Sequence, residues 1–233
     1  MDLRGDGRPD LVLGNLGLNS YLRASRKEPA RLYVNDFSHS GSGNVEQILA
    51  FYRNGVSYPV AGRDELLARI PSLRAKYPSY SSFGASRVED IFPAADLRSA
   101  QVREAYTFAS AIARNNGNGT FTLEPMPVEA QISPIYASVA GDFDGDGRTD
   151  LLVAGNFYGV PPVFGRYDAG YGLMMRGSAD GRLTPVDTEE SNLAIEGQVR
   201  DMKALRGPKG ERLIAVARNN YKLEILRVNP PRR

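Results

Sequence analysis

The sequence predicts an all-β protein made of about four repeated units of short antiparallel strands, with a small helical insertion. Three observations carry that expectation. An acidic, glycine-rich loop, Asp142-Phe143-Asp144-Gly145-Asp146-Gly147-Arg148-Thr149-Asp150, lies between the β-rich segment Ile135–Ala140 and the apolar run Leu151–Ala154. A degenerate copy of that loop stands at residues 2–10, followed by the apolar Leu11-Val12-Leu13. Strand-end asparagines recur at Gly14-Asn15, Asn115-Asn116, Gly155-Asn156 and Asn219-Asn220 and mark four units. Units of about 40 to 50 residues holding several short strands each are the pattern of propeller blades. The expected units are residues 1–30, 31–128, 134–190 and 195–229.

Composition bounds the possibilities. With 233 residues, 42% of them hydrophobic, the chain can bury a substantial core as one domain, and wholesale disorder is excluded. No apolar run reaches bilayer-spanning length, so a soluble piece without a membrane span is expected. A formal charge of +2, with no Lys/Arg cluster beyond Arg232-Arg233, gives no reason to expect nucleic acid as a partner. The absence of cysteine removes disulfides, thiol nucleophiles and thiolate metal sites.

The first element is the loop at residues 2–10. Arg4 stands at its third position, where a carboxylate is expected, leaving Asp2, Asp6, Asp10 and the Arg8 carbonyl as a weaker metal-ligand set. Arg4-Gly5-Asp6 also spells an integrin-recognition tripeptide, a coincidence of residues the loop already requires. Met1 is followed at once by Asp2, with no strand ahead of the loop. The chain is therefore expected to begin inside a repeat of a longer, exported protein.

Arg31–Asn35 reads as a strand leading into Asp36–Glu46, a stretched third loop in which Ser38 and Ser40 replace charged residues. A neutral turn is the stronger reading there, and its His39 is the only histidine. Gln47–Arg53 and Val56–Val60 flank Asn54-Gly55 and predict a hairpin. From 62 to 99 the pattern changes. Asp64–Ile70 has helical spacing, Pro71 breaks it and starts a second short helix through Lys76, and Val88–Phe92 makes another turn. Tyr77, Tyr80 and Phe83 in this insertion either pack a helical flap or line a surface.

Strands are expected again over Ala105–Ala113 and Thr120–Leu123. After the central loop, Phe157–Arg166 is a Gly/Pro-rich loop on the strand-exit face, where Tyr158, Phe164 and Tyr167 are candidate contact residues together with Tyr80. Gly172–Arg176 and Arg182–Pro185 form a hairpin. Val199–Leu205, Arg212–Arg218 and Lys222–Val228 complete a last unit without an acidic loop, and Pro230 and Pro231 end the fold.

The central loop carries the chemistry. Asp142, Asp144, Asp146 and Asp150 repel one another unless a cation sits between them. Gly145 and Gly147 supply the partly left-handed turn that lets them converge. Calcium, which takes about six to eight oxygens in flexible geometry, fits these four carboxylates with the Arg148 carbonyl better than magnesium does. The loop resembles an EF-hand through its first five positions. Val153 then stands where an EF-hand places its bidentate Glu, and the flanks are strands. The plain alternative is a metal-free polar turn; four regularly spaced aspartates argue against it.

Asp-x-Asp-Gly-Asp-Gly-x-x-Asp-Leu at 142–151, followed by an apolar strand and Gly155-Asn156, resembles the FG-GAP or VCBS repeat, the blade motif of integrin α-subunit propellers and of many bacterial surface proteins. Gly14-Asn15-Leu16-Gly17-Leu18-Asn19 and Asn115–Phe121 are similar to the C-terminal part of large VCBS-repeat proteins grouped with cartilage acidic protein. The resemblance covers most of the chain apart from residues 62–99. It implies a partial β-propeller of about four blades, braced by Ca2+ and serving as a non-catalytic binding or scaffold module. It also implies an extracytoplasmic setting (cell surface, periplasm or secreted) and a protein or glycan ligand. An incomplete propeller exposes sheet faces and edges, which invites self-association.

The rival class is a polysaccharide lyase or glycosidase built on a propeller. That chemistry needs paired carboxylates or a Tyr/His pair in a cleft. Asp64, Glu65, Glu89, Asp90 and Asp168 are the carboxylates outside the acidic loops that could supply it. No Gly-x-Ser-x-Gly, His-Glu-x-x-His or phosphate-binding loop is present, so a non-enzymatic role leads.

Overall fold

A computed structural model describes residues 1–229; Pro230 and Pro231, expected to end the fold, and the basic Arg232-Arg233 lie outside the described residues. In chain order the strands are β1 (Leu11–Leu13), β2 (Ala30–Asn35), β3 (Glu46–Arg53), β4 (Val56–Pro59), β5 (Gln101–Ala105), β6 (Ala111–Asn115) and β7 (Phe121–Pro125). They continue as β8 (Ile135–Gly141), β9 (Asp150–Gly155), β10 (Leu173–Gly177), β11 (Leu183–Pro185), β12 (Gln198–Arg206), β13 (Arg212–Asn219) and β14 (Glu224–Arg227). The α-helices are short: α1 (Arg63–Arg69), α2 (Tyr80–Phe83), α3 (Val88–Ile91), α4 (Ala94–Ser99) and α5 (Thr188–Ser191). The protein is all-β, with four antiparallel sheets ordered β1-β6-β7, β4-β3-β2-β5, β11-β10-β9-β8 and β12-β13-β14. It divides into two units, one comprising Met1–Tyr21 with the chain from Ala109 onward, the other Leu22–Phe108.

The first unit holds three of the sheets, and β9 shows how they are stacked. Its Leu151 and Val153 pack with Ile112, Met126 and Met175 in one core, while Leu152 and Ala154 pack with Ile195, Val199, Ile214 and Val216 in another. Both faces of β9 are covered, so the run Leu-Leu-Val-Ala is apolar without alternation. Burying one such leucine contributes about 2 kcal/mol. β1 has a different environment. Val12 faces the core, but Leu11 and Leu13 remain exposed.

The second unit is the sheet β4-β3-β2-β5 with the helical segment packed on it. Tyr33, Ile48 and Ala50 from the sheet join Leu66, Leu67, Ile70, Tyr77, Val88, Ile91 and Phe92 in one core. Asn54 and Gly55 turn the β3–β4 hairpin with φ of 53° and 78°, the left-handed values that this two-residue turn requires. Pro71–Arg74 is a 3-10 turn that stops short of Lys76. The serine-rich segment after Pro78 contains α2, whose start is capped by Ser79 accepting the Ser82 N–H at 3.2 Å.

Three expectations change. The sheets do not follow the linear division at residue 30: β1 is completed by β6 and β7, while β2 to β5 form a sheet of their own. The strand expected over Ala105–Ala113 is two strands, β5 and β6, in different units. Between them, the Ser110 N–H donates to Gln131 Oε1 (2.9 Å) and the Ser110 carbonyl accepts from Gln131 Nε2 (2.8 Å), so that side-chain amide replaces a ladder neighbour. The strand-end asparagines also fall at opposite ends. Asn15 and Asn156 follow β1 and β9, whereas Asn115 and Asn116 end β6, which runs antiparallel to β1 and returns to the acidic-loop end.

Candidate metal centre

Residues 142–150 span the turn from β8 to β9. Asp142 organises it from its first position. The Gly145 N–H donates to Oδ1 at 2.6 Å and the Gly147 N–H to Oδ2 at 3.0 Å. Gly145 and Gly147 have φ of 85° and 84°, a conformation that side-chain-bearing residues rarely adopt. Asp144 Oδ1 accepts the Asp146 N–H (3.1 Å), and Asp146 Oδ1 accepts the Arg148 N–H (2.8 Å). The outcome is a convergence of three carboxylates. Ligand oxygens of Asp142, Asp144 and Asp146 all lie within 4.8 Å of one another, and no other such trio occurs among the described residues. Such clustered, partly exposed carboxylate oxygens are of the type that suits a hard cation.

Asp150, the fourth expected ligand, stands apart from that trio. It is buried, and its two oxygens accept the Phe143 N–H (2.8 Å) and the Gly177 N–H (2.9 Å). Burial raises its pKa, against those two amide bonds, which lower it. Gly177 is required here, since a Cβ would lie 2.0 Å from the Thr149 carbonyl. Around the trio, Arg176 from β10 donates to Asp144 Oδ2 and to Glu190 of α5, both at 2.6 Å.

The loop at residues 2–10 repeats the backbone but not the side chains. Asp2 accepts N–H bonds from Arg4, Gly5, Asp6 and Gly7 at 2.8–3.3 Å. The Gly7 bond is the largest cause of its lowered pKa. Arg4 occupies the third position with its guanidinium turned inward: Nη2 is 3.4 Å from Asp6 Oδ2, 3.3 Å from Asp10 Oδ1 and 2.8 Å from the Asn115 carbonyl. Asp10 is fully buried and also meets Arg114 Nη1 (3.2 Å) and the Asn115 N–H (2.8 Å). Arg8 pairs with Asp6 at 3.0 Å.

The third loop is a neutral relative of the same design. Asp36 accepts N–H bonds from Gly41 and Ser40, both at 3.0 Å, which depress its pKa in that order. Glu46 closes the loop on the Ser38 N–H at 3.1 Å. His39 lies 3.0 Å from Asp96 Oδ2 on α4.

The expected contact residues are spread over different surroundings. Tyr158 is half-buried, with the Arg166 guanidinium 5.0 Å above its ring, and burial raises its pKa. Phe164 packs on Tyr21 at 5.7 Å, and the Tyr167 hydroxyl lies 3.2 Å from Ser20 Oγ. Tyr80 is exposed and bonds Asp64 through its hydroxyl. Sequence reasoning missed Tyr136 and Arg200, which sit at the register shifts of β8 and β12. A bulge turns its extra residue out of the ladder, and here the two meet, with Arg200 4.2 Å above the Tyr136 ring. Arg200 also shares Gln198 Oε1 with the Tyr158 N–H, so both residues belong to the aromatic loop's neighbourhood. The apolar alternation of β8 hides such a bulge.

Residues 102–153 match the model of an FG-GAP-like repeat and residues 135–173 that of an FG-GAP repeat. No curated protein and no solved structure matches the chain. Among the described residues, no helix is long and apolar enough to cross a membrane.

Proposed function

We propose that this chain, with its two FG-GAP-type matches, is a calcium-braced, non-catalytic binding or scaffold module of an exported or cell-surface protein. The observation that carries the reading is the convergence of Asp142, Asp144 and Asp146 between β8 and β9. These three, with the Arg148 carbonyl, would hold Ca2+, and Asp150 would act as the buttress beneath them. All donors come from one local turn, so the ion's role is to brace the start of the most buried strand. The finer kinship with VCBS repeats and with proteins like cartilage acidic protein belongs to the same proposal, as does propeller closure.

The contact surface we assign is the strand-exit end around Tyr136, Tyr158 and Arg200, where half-exposed tyrosines are held by arginines. Such residues suit a protein or glycan partner. Three of the five carboxylates proposed for the enzymatic alternative are engaged in ion pairs. Asp64, Glu65 and Asp90 are each tied to a nearby arginine, Arg63, Arg69 and Arg87 respectively.

The test is thermal unfolding with calcium and with chelator. Calcium is expected to raise the midpoint of the natural chain, and Asp146→Ala to abolish that response. A natural chain indifferent to calcium would remove the metal from the proposal.

A further inference from the structure

The two acidic loops share a backbone but differ in how their charge is balanced. Loop 142–150 carries four carboxylates, of which Arg148 pairs with Asp146 and Arg176 with Asp144 and the neighbouring Glu190, while Arg212 donates to the Asp142 carbonyl. Loop 2–10 carries three carboxylates, of which Arg4 pairs with both Asp6 and Asp10, Arg8 with Asp6, and Arg114 with Asp10 and the neighbouring Glu124. A cluster of carboxylates with no cation between them attracts a divalent ion, whereas carboxylates already bridged by a guanidinium offer it little net attraction.

The position of the Arg4 head group is the decisive detail. It bridges the fifth-position Asp6 and the ninth-position Asp10 at 3.4 and 3.3 Å and caps the Asn115 carbonyl at 2.8 Å. One atom thus links two carboxylates and a carbonyl, which is the task of the ion in a calcium loop. The surroundings are shaped for the arginine stem. Gly181, at φ 76° in the β10–β11 turn, would place a Cβ 2.4 Å from Arg4 Cγ and could not be replaced without displacing it. Arg114 fixes the same turn by donating to the Gly181 carbonyl at 2.7 Å.

We infer that the guanidinium of Arg4 is the resident cation of the first loop, which is therefore braced without metal and does not take up calcium. The inference replaces the weaker metal site expected at Asp2, Asp6, Arg8 and Asp10. It rests on the proposed calcium reading only for the contrast with the second loop. The corollary is that the first loop is one substitution away from a metal site, because Arg4→Asp would restore a third-position carboxylate and remove the competing charge.

Calcium stoichiometry by isothermal titration, with parallel melting in chelator, tests the idea on the natural chain, Asp6→Asn, Asp146→Asn, Arg4→Asp and Arg4→Met. The expected result is that Asp6→Asn leaves the stoichiometry unchanged, Arg4→Asp adds one ion, and Arg4→Met lowers the midpoint by about 5 °C equally with calcium and with chelator. Loss of one bound ion in Asp6→Asn would overturn it, since the first loop would then bind calcium with Arg4 in place. If Arg4→Asp does not fold, the Asp6→Asn comparison decides. If the natural chain binds no ion, the calcium proposal for the second loop fails by itself. The inference about Arg4 is then judged on Arg4→Met, and an unchanged midpoint in chelator would end it.

Discussion

The loops at residues 2–10 and 142–150 begin alike and end in different physical situations. Each starts with an aspartate that gathers backbone N–H groups and ends with a buried aspartate at the mouth of a strand. Their ninth-position carboxylates diverge. Asp10 has two guanidiniums beside it, while Asp150 has only neutral backbone amides. The strands that follow diverge too: β9 is covered on both faces and β1 on one. One turn design thus holds a guanidinium between its carboxylates where the third residue is Arg4, and a convergence of three carboxylates where it is Asp144.

The largest effect that can sharpen this comparison lies just beyond the loops. Leu151 is 0% exposed and Leu11 is 48% exposed, although they follow equivalent aspartates. Leu151→Ala should cost about 2–5 kcal/mol of stability in chemical denaturation, and Leu11→Ala within about 0.5 kcal/mol. Equal costs would break the contrast between the two strands.

Next come the buried aspartates. Asp10→Asn strands Arg4 and Arg114 without their shared carboxylate and should cost about 3 kcal/mol. Asp150→Asn, measured in chelator, should cost less, about 1–2 kcal/mol, because the amide oxygen keeps one of the two N–H donors, the NH2 group turns the other away, and the burial penalty on the charge disappears. Reversed magnitudes would mean that the guanidiniums do not brace the first loop.

Calcium comes third. At a free concentration about 100 times its Kd, calcium binding adds about 2.7 kcal/mol to the folded state. That gain should vanish in Asp146→Asn and survive in Asp6→Asn, as read by the shift of the denaturation midpoint.

The smallest effect is in titration. In chelator, carboxyl NMR should find Asp2 titrating below the ordinary carboxylate range, through the Gly7 N–H above all, and Asp150 titrating above it through burial. The signs for stability are opposite. Asp2 contributes stability that is present above its unfolded pKa and is lost as pH falls through the lowered folded value. The cost of burying charged Asp150 is felt above its raised folded value and is relieved as pH falls through it. Parallel shifts in the two residues would show that the loops are equivalent after all.

Much of the architecture was legible in the sequence because its signals are local. Asn54-Gly55 requires a left-handed two-residue turn, and Asp142 followed by Gly145 and Gly147 requires a tight turn of inward-facing amides. The apolar runs on either side of these turns are too short for anything but strands. The carboxylate trio was legible for the same reason, since all its members lie within five residues. Other features had no local signal. That β1 completes its sheet with β6, about a hundred residues later, depends on where the intervening segment returns. That Tyr136 and Arg200 meet depends on two register shifts in strands far apart in sequence, which no alternation pattern records.

What the sequence by itself determined was the strand content, the turns and the presence of an acidic loop with closely spaced carboxylates, because backbone preference and side-chain spacing act over a few residues. Tertiary structure alone decided which carboxylates converge at a partly exposed point and which are buried. Asp150 is taken up by one amide of its own turn and one of β10, and Asp10 by arginines 6 residues before it and 104 after it. Burial and charge balance are sums over everything that packs around a residue, and that set is chosen only when the sheets come together.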